Sequence, residues 1–260
     1  MTSDPIAEFF RSAAKTAARE ALPHFRTAMG IENKDGLGFD PVTEADRAVE
    51  QAVRSLLRER FPGHGILGEE FGLENANSPS RWIIDPIDGT RAFISGIPVW
   101  GTLIGLVENG KAVAGMMSQP FTGELFFAGR HGEGVYEGPH GTATLKTRQT
   151  ARLDESVLFT TSPFLQKGDN RRRYDALESS VRMARYGTDC YAYAMLASGH
   201  VDIVCESGLK SYDIAGLIPL IERAGGVVST WEGGAAEDGG DILATANATL
   251  HSQALSVLNG

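Results

Sequence analysis

Helix-spaced and strand-like segments alternate along this chain and predict an α/β (α+β) fold of layered helices and mixed sheets. Three observations carry that expectation. Amphipathic stretches with apolar residues at helical spacing open the chain and recur in its second half. Short apolar runs bounded by Gly, Asn, Asp and Pro lie between them. At 260 residues the chain can bury a sizeable core as one large domain or two closely joined halves.

The spacing of Ile6, Phe9, Ala13, Ala17 and Ala21 predicts a helix over 3–28. Residues 30–41 gather Gly, Asn, Asp and Pro and read as a mobile loop. A second helix is expected from Glu44, because Thr43 followed by Asp46 resembles a capping box and Val49, Val53, Leu56 and Leu57 share one face. Trp82-Ile83-Ile84 reads as a buried strand. Residues 99–107 and 111–118 read as a hairpin turning at Glu108-Asn109-Gly110, and 123–128 and 134–137 continue the strand pattern. The Gly-rich stretch 129–150 is the natural joint between an N-terminal α+β half, 1–145, and a C-terminal α/β half, 146–260. In the second half 156–161 and 201–205 read as strands and 170–180 and 190–198 as helices. Residues 213–224 read as one helix bent at Pro219, ended by Gly225-Gly226 before a strand at 227–230.

A net charge of −9 argues against attraction to nucleic acid or an anionic membrane. An acidic protein binds phosphate through a local positive centre, which a carboxylate-held divalent cation supplies. Cys190 and Cys205 are too few for a disulfide framework and read as buried or free thiols in a reducing compartment. The N-terminal MTSDPIAEFF lacks a signal-peptide pattern, and no apolar run is long enough to span a bilayer, so the expected location is cytoplasmic. The six histidines are scattered and read as surface residues.

The densest chemical signal is Arg81-Trp-Ile-Ile-Asp85-Pro-Ile-Asp88-Gly-Thr90. An apolar strand running into Asp85 and Asp88 could aim two carboxylates and the Ile87 carbonyl at one point, a hard-oxygen set suited to magnesium. Free amides at Gly89 and Thr90 could hold phosphate at the same point. Glu69, after Ile66-Leu67, is either a further ligand or surface charge. Asp213 is either a helix cap or part of a second metal site. Asp46 is explained by its capping box alone.

Taken in order, Val42-Thr-Glu-Ala-Asp46, Glu69-Glu70, Asp85-Pro-Ile-Asp-Gly-Thr90 and Tyr212-Asp213 with Glu222-Arg-Ala-Gly-Gly226 resemble the inositol monophosphatase family over nearly the whole chain. The resemblance implies a layered αβαβα sandwich, usually a homodimer, that hydrolyses a small phosphorylated metabolite with two or three magnesium ions. It implies Glu69, Asp85 and the Ile87 carbonyl around one ion, and Asp85, Asp88 and Asp213 around a second. It implies a Thr90–Asp46 pair beside the attacking water and a mobile loop carrying Lys34 and Asp40. Paired cations about 4 Å apart can stabilise both ends of an in-line displacement.

Within the family, Arg91-Ala-Phe-Ile-Ser-Gly96 and Gly208-Leu-Lys-x-Tyr212-Asp213 are similar to the histidinol-phosphatase branch, although that branch commonly has Pro where this chain has Ser211. Asp189 and Glu206 fall where the family contacts the organic part of its substrate, and carboxylates suit an amine. A sugar hydroxyl could use the same groups. Asp189 also reads as a cap of the 190–198 helix, and Glu206 as a solvated strand end. Arg91 reads as a structural residue. The competing functions are an inositol or 3′-phosphoadenosine 5′-phosphate phosphatase and, in another class, a non-catalytic metal-binding protein. The carboxylates are too dispersed for a calcium loop.

Overall fold

Asp4 opens the first helix: its Oδ1 accepts the Ile6 amide at 2.9 Å, and Pro5 follows at the first helical position. The structure, a computed structural model, describes residues 4–27, 32, 33 and 41–260. Lys34 and Asp40 lie outside the described residues. Helix α1 is Pro5–Ala21, shorter than the 3–28 expected. Pro23 lacks the N–H that would continue the ladder, so the chain leaves the helix in turns. Strands β1 (Glu32–Asn33) and β2 (Pro41–Val42) form an antiparallel pair. Helix α2 (Glu44–Arg60) follows, and its capping box is formed, with the Thr43 amide and hydroxyl donating to Asp46 Oδ2 at 2.8 and 2.5 Å.

The larger sheet contains β3 (Gly65–Gly68), β4 (Gly72–Glu74) and β5 (Ser80–Asp88). After the short helix α3 (Thr90–Ile94) come β6 (Gly101–Glu108), β7 (Lys111–Gln119), β8 (Glu124–Ala128), β9 (Val135–Gly138) and β10 (Gly141–Thr144). Its order is β10-β9-β8-β7-β6-β5-β3-β4, antiparallel except for β3 beside β5.

The remaining elements are β11 (Val157–Thr160), α4 (Asp169–Ser180), β12 (Met183–Tyr186), α5 (Tyr191–Ala197), β13 (Ile203–Lys210), α6 (Ser211–Ile214), α7 (Ile218–Arg223), β14 (Val227–Thr230), β15 (Gly239–Thr245) and α8 (Ala248–Leu258). They build a five-stranded mixed sheet in the order β12-β11-β13-β15-β14.

Side-chain alternation along the strands explains the layering. On β6 and β7, Ile104 and Met116 join α1 and α2 on one face, while Leu103 and Met117 join α5 and α7 on the other. On β13, Val204 points to that same central layer, while Ile203 and Cys205 pack with α4 and α8. The layers are therefore α1–α2, the large sheet, α5–α7, the small sheet, and α4–α8, an αβαβα sandwich. The central strands, such as β5, β6, β7 and the first half of β13, are buried on both faces, which is why they read as nearly continuous apolar runs, while the outer strands β4, β10 and β12 are largely exposed.

Two expectations need correction. The 213–224 helix is two pieces, α6 and α7, separated at Ala215-Gly216-Leu217. Pro219 sits in the first turn of α7, where its missing N–H costs nothing. At the break the backbone presses onto the large sheet: a Cβ added to Gly115 would lie 2.1 Å from the Gly216 carbonyl oxygen. Among the histidines, His251 is buried, its Nδ1 3.0 Å from Thr245 Oγ1 and its Nε2 2.9 Å from Ser229 Oγ. Polar partners satisfy it there. Among the described residues no helix is long and apolar enough to cross a membrane.

Candidate active site

Strand β5 carries both aspartates of the central motif, and its pairing with β6 slips between Asp85 and Asp88. The Thr102 hydroxyl donates to the Pro86 carbonyl at 2.8 Å and fixes the irregular segment. A strand in regular register would send residues three apart to opposite faces; the slip lets both aspartates converge. Gly89 then turns the chain with φ +81°, a left-handed conformation suited to glycine, and α3 begins at Thr90.

Asp213 arrives from the junction of β13 and α6. Its Oδ2 accepts the Lys210 amide at 2.6 Å, so it caps α6 as well as meeting the aspartates of β5. One oxygen from each of Asp85, Asp88 and Asp213 lies within 4.8 Å of the others. Burial, with the neighbouring carboxylates of Glu69, Asp88, Asp213 and Asp46, pushes Asp85 well above the usual aspartate range. Burial and the charges of Asp213 and Asp189 do the same to Asp88, although its Oδ2 accepts the Cys190 amide at 2.8 Å. Asp85 Oδ1 is buried without a hydrogen-bond partner among the described residues. An all-oxygen set of converging buried carboxylates with an unsatisfied oxygen fits a hard divalent cation.

Glu69 lies beside this cluster, at the end of β3. Its amide donates to the Ile84 carbonyl at 3.2 Å. Buried Glu50 secures the following turn: its carboxylate accepts the amides of Glu70 at 2.7 Å and Phe71 at 3.2 Å, and Arg54 Nε at 2.7 Å.

A cavity of about 370 Å³ collects Glu69, Asp85, Ile87, Asp88, Gly89, Thr90, Asp189, Glu206 and Asp213. Asp189 does not cap α5, whose N-cap is Cys190. It takes a left-handed backbone, φ +43°, and packs so near Gly89 that a Cβ there would lie 3.1 Å from its own. Burial raises its carboxyl against the opposing influence of Thr161 and Arg91. Glu206 is not a solvated strand end. It is 3 % exposed and accepts the Thr160 hydroxyl at 3.0 Å and the Thr161 amide at 2.5 Å. Burial lifts it to about 7.

The Thr90–Asp46 pair is not formed. Thr90 Oγ1 donates to the Ile87 carbonyl at 3.1 Å, while Asp46 Oδ2 is taken by the Thr43 amide and hydroxyl. Asp46 nevertheless contributes its field to Asp85, and burial raises its own carboxyl to about 6. Arg91, Thr161, Leu165 and Lys167 also line the cavity. The sequence reading assigned none of the last three. Their available signal was position, since Thr160-Thr161 ends an apolar run as Asp85 does.

Comparison with known proteins agrees with this geometry. A sequence profile of the inositol monophosphatase family matches residues 2–259. The chain is 36 % identical to the bifunctional phosphatase IMPL2, chloroplastic, of Arabidopsis thaliana, covering 98 % of this chain and 75 % of that protein. It is 37 % identical to a histidinol-phosphatase of Mycobacterium tuberculosis, covering 84 % and 85 %. A solved inositol monophosphatase from Zymomonas mobilis superposes with a TM-score of 0.88 at 35 % identity, covering 100 % of both chains. The chain belongs to the inositol monophosphatase family of metal-dependent phosphatases.

Proposed function

We propose that this phosphatase is magnesium-dependent and acts chiefly on histidinol phosphate, converting it with water to histidinol and phosphate in histidine biosynthesis. The carrying observation is that Asp189 and Glu206 line the same cavity as the three-aspartate cluster. A substrate with a phosphate at one end and an ammonium and imidazole at the other matches carboxylates beyond those needed for metal. The histidinol-phosphatase relative supports this choice.

In this reading Glu69, Asp85 and the Ile87 carbonyl hold one ion, and Asp85, Asp88 and Asp213 hold a second. Bound magnesium supplies Lewis-acid charge to the phosphoryl oxygens and acidifies water at neutral pH. Glu69 orients the attacking water and accepts its proton. Thr90 assists from the start of α3, and the Gly89 and Thr90 amides take phosphate oxygens. Asp46 keeps the α2 N-terminus beside Asp85 through its capping box. Asp189 and Glu206 receive the organic group and exclude bulky neutral ones.

The likeness to a solved inositol monophosphatase favours a polyol monoester as the second reading. Comparing kcat/KM for histidinol phosphate, inositol 1-phosphate and 3′-phosphoadenosine 5′-phosphate at saturating magnesium decides between them. At least about a tenfold preference for histidinol phosphate is expected. Equal or faster turnover of inositol 1-phosphate would move the assignment to that substrate. Absence of magnesium-dependent phosphate release from all three would leave a non-catalytic metal-binding protein.

A further inference from the structure

We infer that Asp241 is a positioning residue: it pins the bulge Ser207-Gly208, fixes the stretch of cavity wall between Glu206 and Asp213, and so sets the reach of the organic group the site accepts. This role rests on the functional reading above, which gives Glu206 the organic half of the substrate and Asp213 the metal.

Strand β13 borders the cavity from Glu206 through Ser207 and Gly208 to Leu209. Glu206 pairs with Ile242 of β15 and Leu209 with Gly240, so Ser207 and Gly208 together stand opposite the single residue Asp241. Two residues against one is a β-bulge, and it spaces the side chains on either side of it. Pairing resumes at Lys210 opposite Gly239, and α6 follows with Asp213. Loss of the extra residue would turn the side chains beyond it to the opposite face.

The Asp241 side chain grips this bulge. Its Oδ1 accepts the Gly208 amide at 3.0 Å and also the Ser207 hydroxyl. Its Oδ2 accepts Asn170 Nδ2 at 2.6 Å. Asn170, in the first turn of α4, donates to Ser207 Oγ at 3.0 Å as well, which closes a ring of three side chains. Asp241 is anchored on its far side, where its carbonyl accepts the amide of fully buried Trp231 at 2.8 Å. Both carboxylate oxygens are thus committed to protein donors, and neither Asp241 nor Asn170 lines the cavity.

The ends of the wall have their own anchors. Glu206 is held by Thr160 and Thr161, and Asp213 by the Lys210 amide. Between those ends, the side-chain hydrogen bonds to Ser207 and Gly208 come from Asp241 and Asn170 among the described residues. Gly208 is exposed, and a Cβ added there would meet nothing within 4 Å. Bare backbone therefore borders open space between the recognition carboxylate and the metal ligand. Without Asp241 the Gly208 amide loses its acceptor, and the bulge is free to relax into that space.

The test compares Asp241→Ala, which removes the grip, with Asp241→Asn, which keeps an acceptor oxygen for the bulge. Histidinol phosphate is assayed beside glycerol 2-phosphate, a small monoester with little to place against the wall, at saturating magnesium and with folding checked by circular dichroism. For histidinol phosphate, Asp241→Ala should raise KM about tenfold and leave kcat within about threefold. Both constants for glycerol 2-phosphate should stay within about twofold, and Asp241→Asn should recover most of the lost affinity. An unchanged KM for histidinol phosphate in Asp241→Ala, an equal loss on both substrates, or no recovery in Asp241→Asn overturns the positioning role. If Asp241→Ala does not fold, Asn170→Ala decides: a KM rise of about threefold confined to histidinol phosphate supports the role, and an unchanged KM overturns it. A wild-type preference for inositol 1-phosphate removes the histidinol-phosphate reading alone. The same rise in KM is then expected for inositol 1-phosphate against glycerol 2-phosphate, and its absence overturns the role of Asp241.

Discussion

Three carboxylates at the site are held in place by hydrogen-bonding neighbours. Asp88 leans on the Cys190 amide, Asp213 on the Lys210 amide, and Glu206 on Thr160 and Thr161. Glu206 gives a clear pH expectation. Its folded-state value of about 7 stands above the ordinary 4.5, so the folded chain holds that proton more tightly than the unfolded chain. Stability should therefore fall as pH rises from about 4.5 to about 7, by on the order of 3 kcal/mol from this group. Glu206→Gln removes the titration. Urea unfolding of the metal-free protein at about pH 5 and about pH 7.5 should show a smaller loss in the variant, and an equal loss would contradict this source. At this scale much was legible in the sequence. Asp85, Asp88, Gly89 and Thr90 stand together in one motif after an apolar strand. Thr161 did not stand out, because a threonine at the end of an apolar run is ordinary and its partners lie far along the chain.

Irregular strands deliver the chemistry. Strand β5 slips against β6 between Asp85 and Asp88, and β13 slips against β15 between Glu206 and Leu209. Each break turns side chains toward the cavity that a regular ladder would send elsewhere. A slip of this kind leaves no periodic trace, so the sequence showed an apolar strand running into Asp85 and Asp88 but not the irregularity between them. The single helix expected over 213–224 failed for a related reason. Ile214, Leu217, Ile218 and Ile221 all face one core, and that common face hides a break at Gly216. The turn behind Glu69 depends on α2. Glu50→Ala would strip the Glu70 and Phe71 amides of their acceptor and leave buried Arg54 without its closest carboxylate. A loss of about 3–5 kcal/mol in denaturant unfolding is expected, with weaker magnesium binding. Wild-type stability in that variant would show that the turn is held by other contacts.

Across the whole molecule, five layers bring two sheets to one acidic cavity. The large sheet contributes Asp85 and Asp88, the small sheet Glu206, and the helical layer between them Asp189 and Asp213 at its edges. The layering was legible because each buried strand reads as an apolar run and each helix as an amphipathic stretch. Sheet order was not legible, since pairing between distant strands has no local signature, and the convergence of the distant acidic groups was legible only through the family resemblance. Such a concentration of buried like charge is stable when a cation offsets it, and the whole chemical reading depends on that ion. The most direct test is diffraction at the manganese absorption edge from crystals of the protein grown with Mn²⁺ in place of magnesium. Anomalous density within coordination distance of Asp85, Asp88 and Asp213, with Glu69 beside it, is the expected result. A cluster free of anomalous density, with its carboxylates turned away from one another, would contradict it.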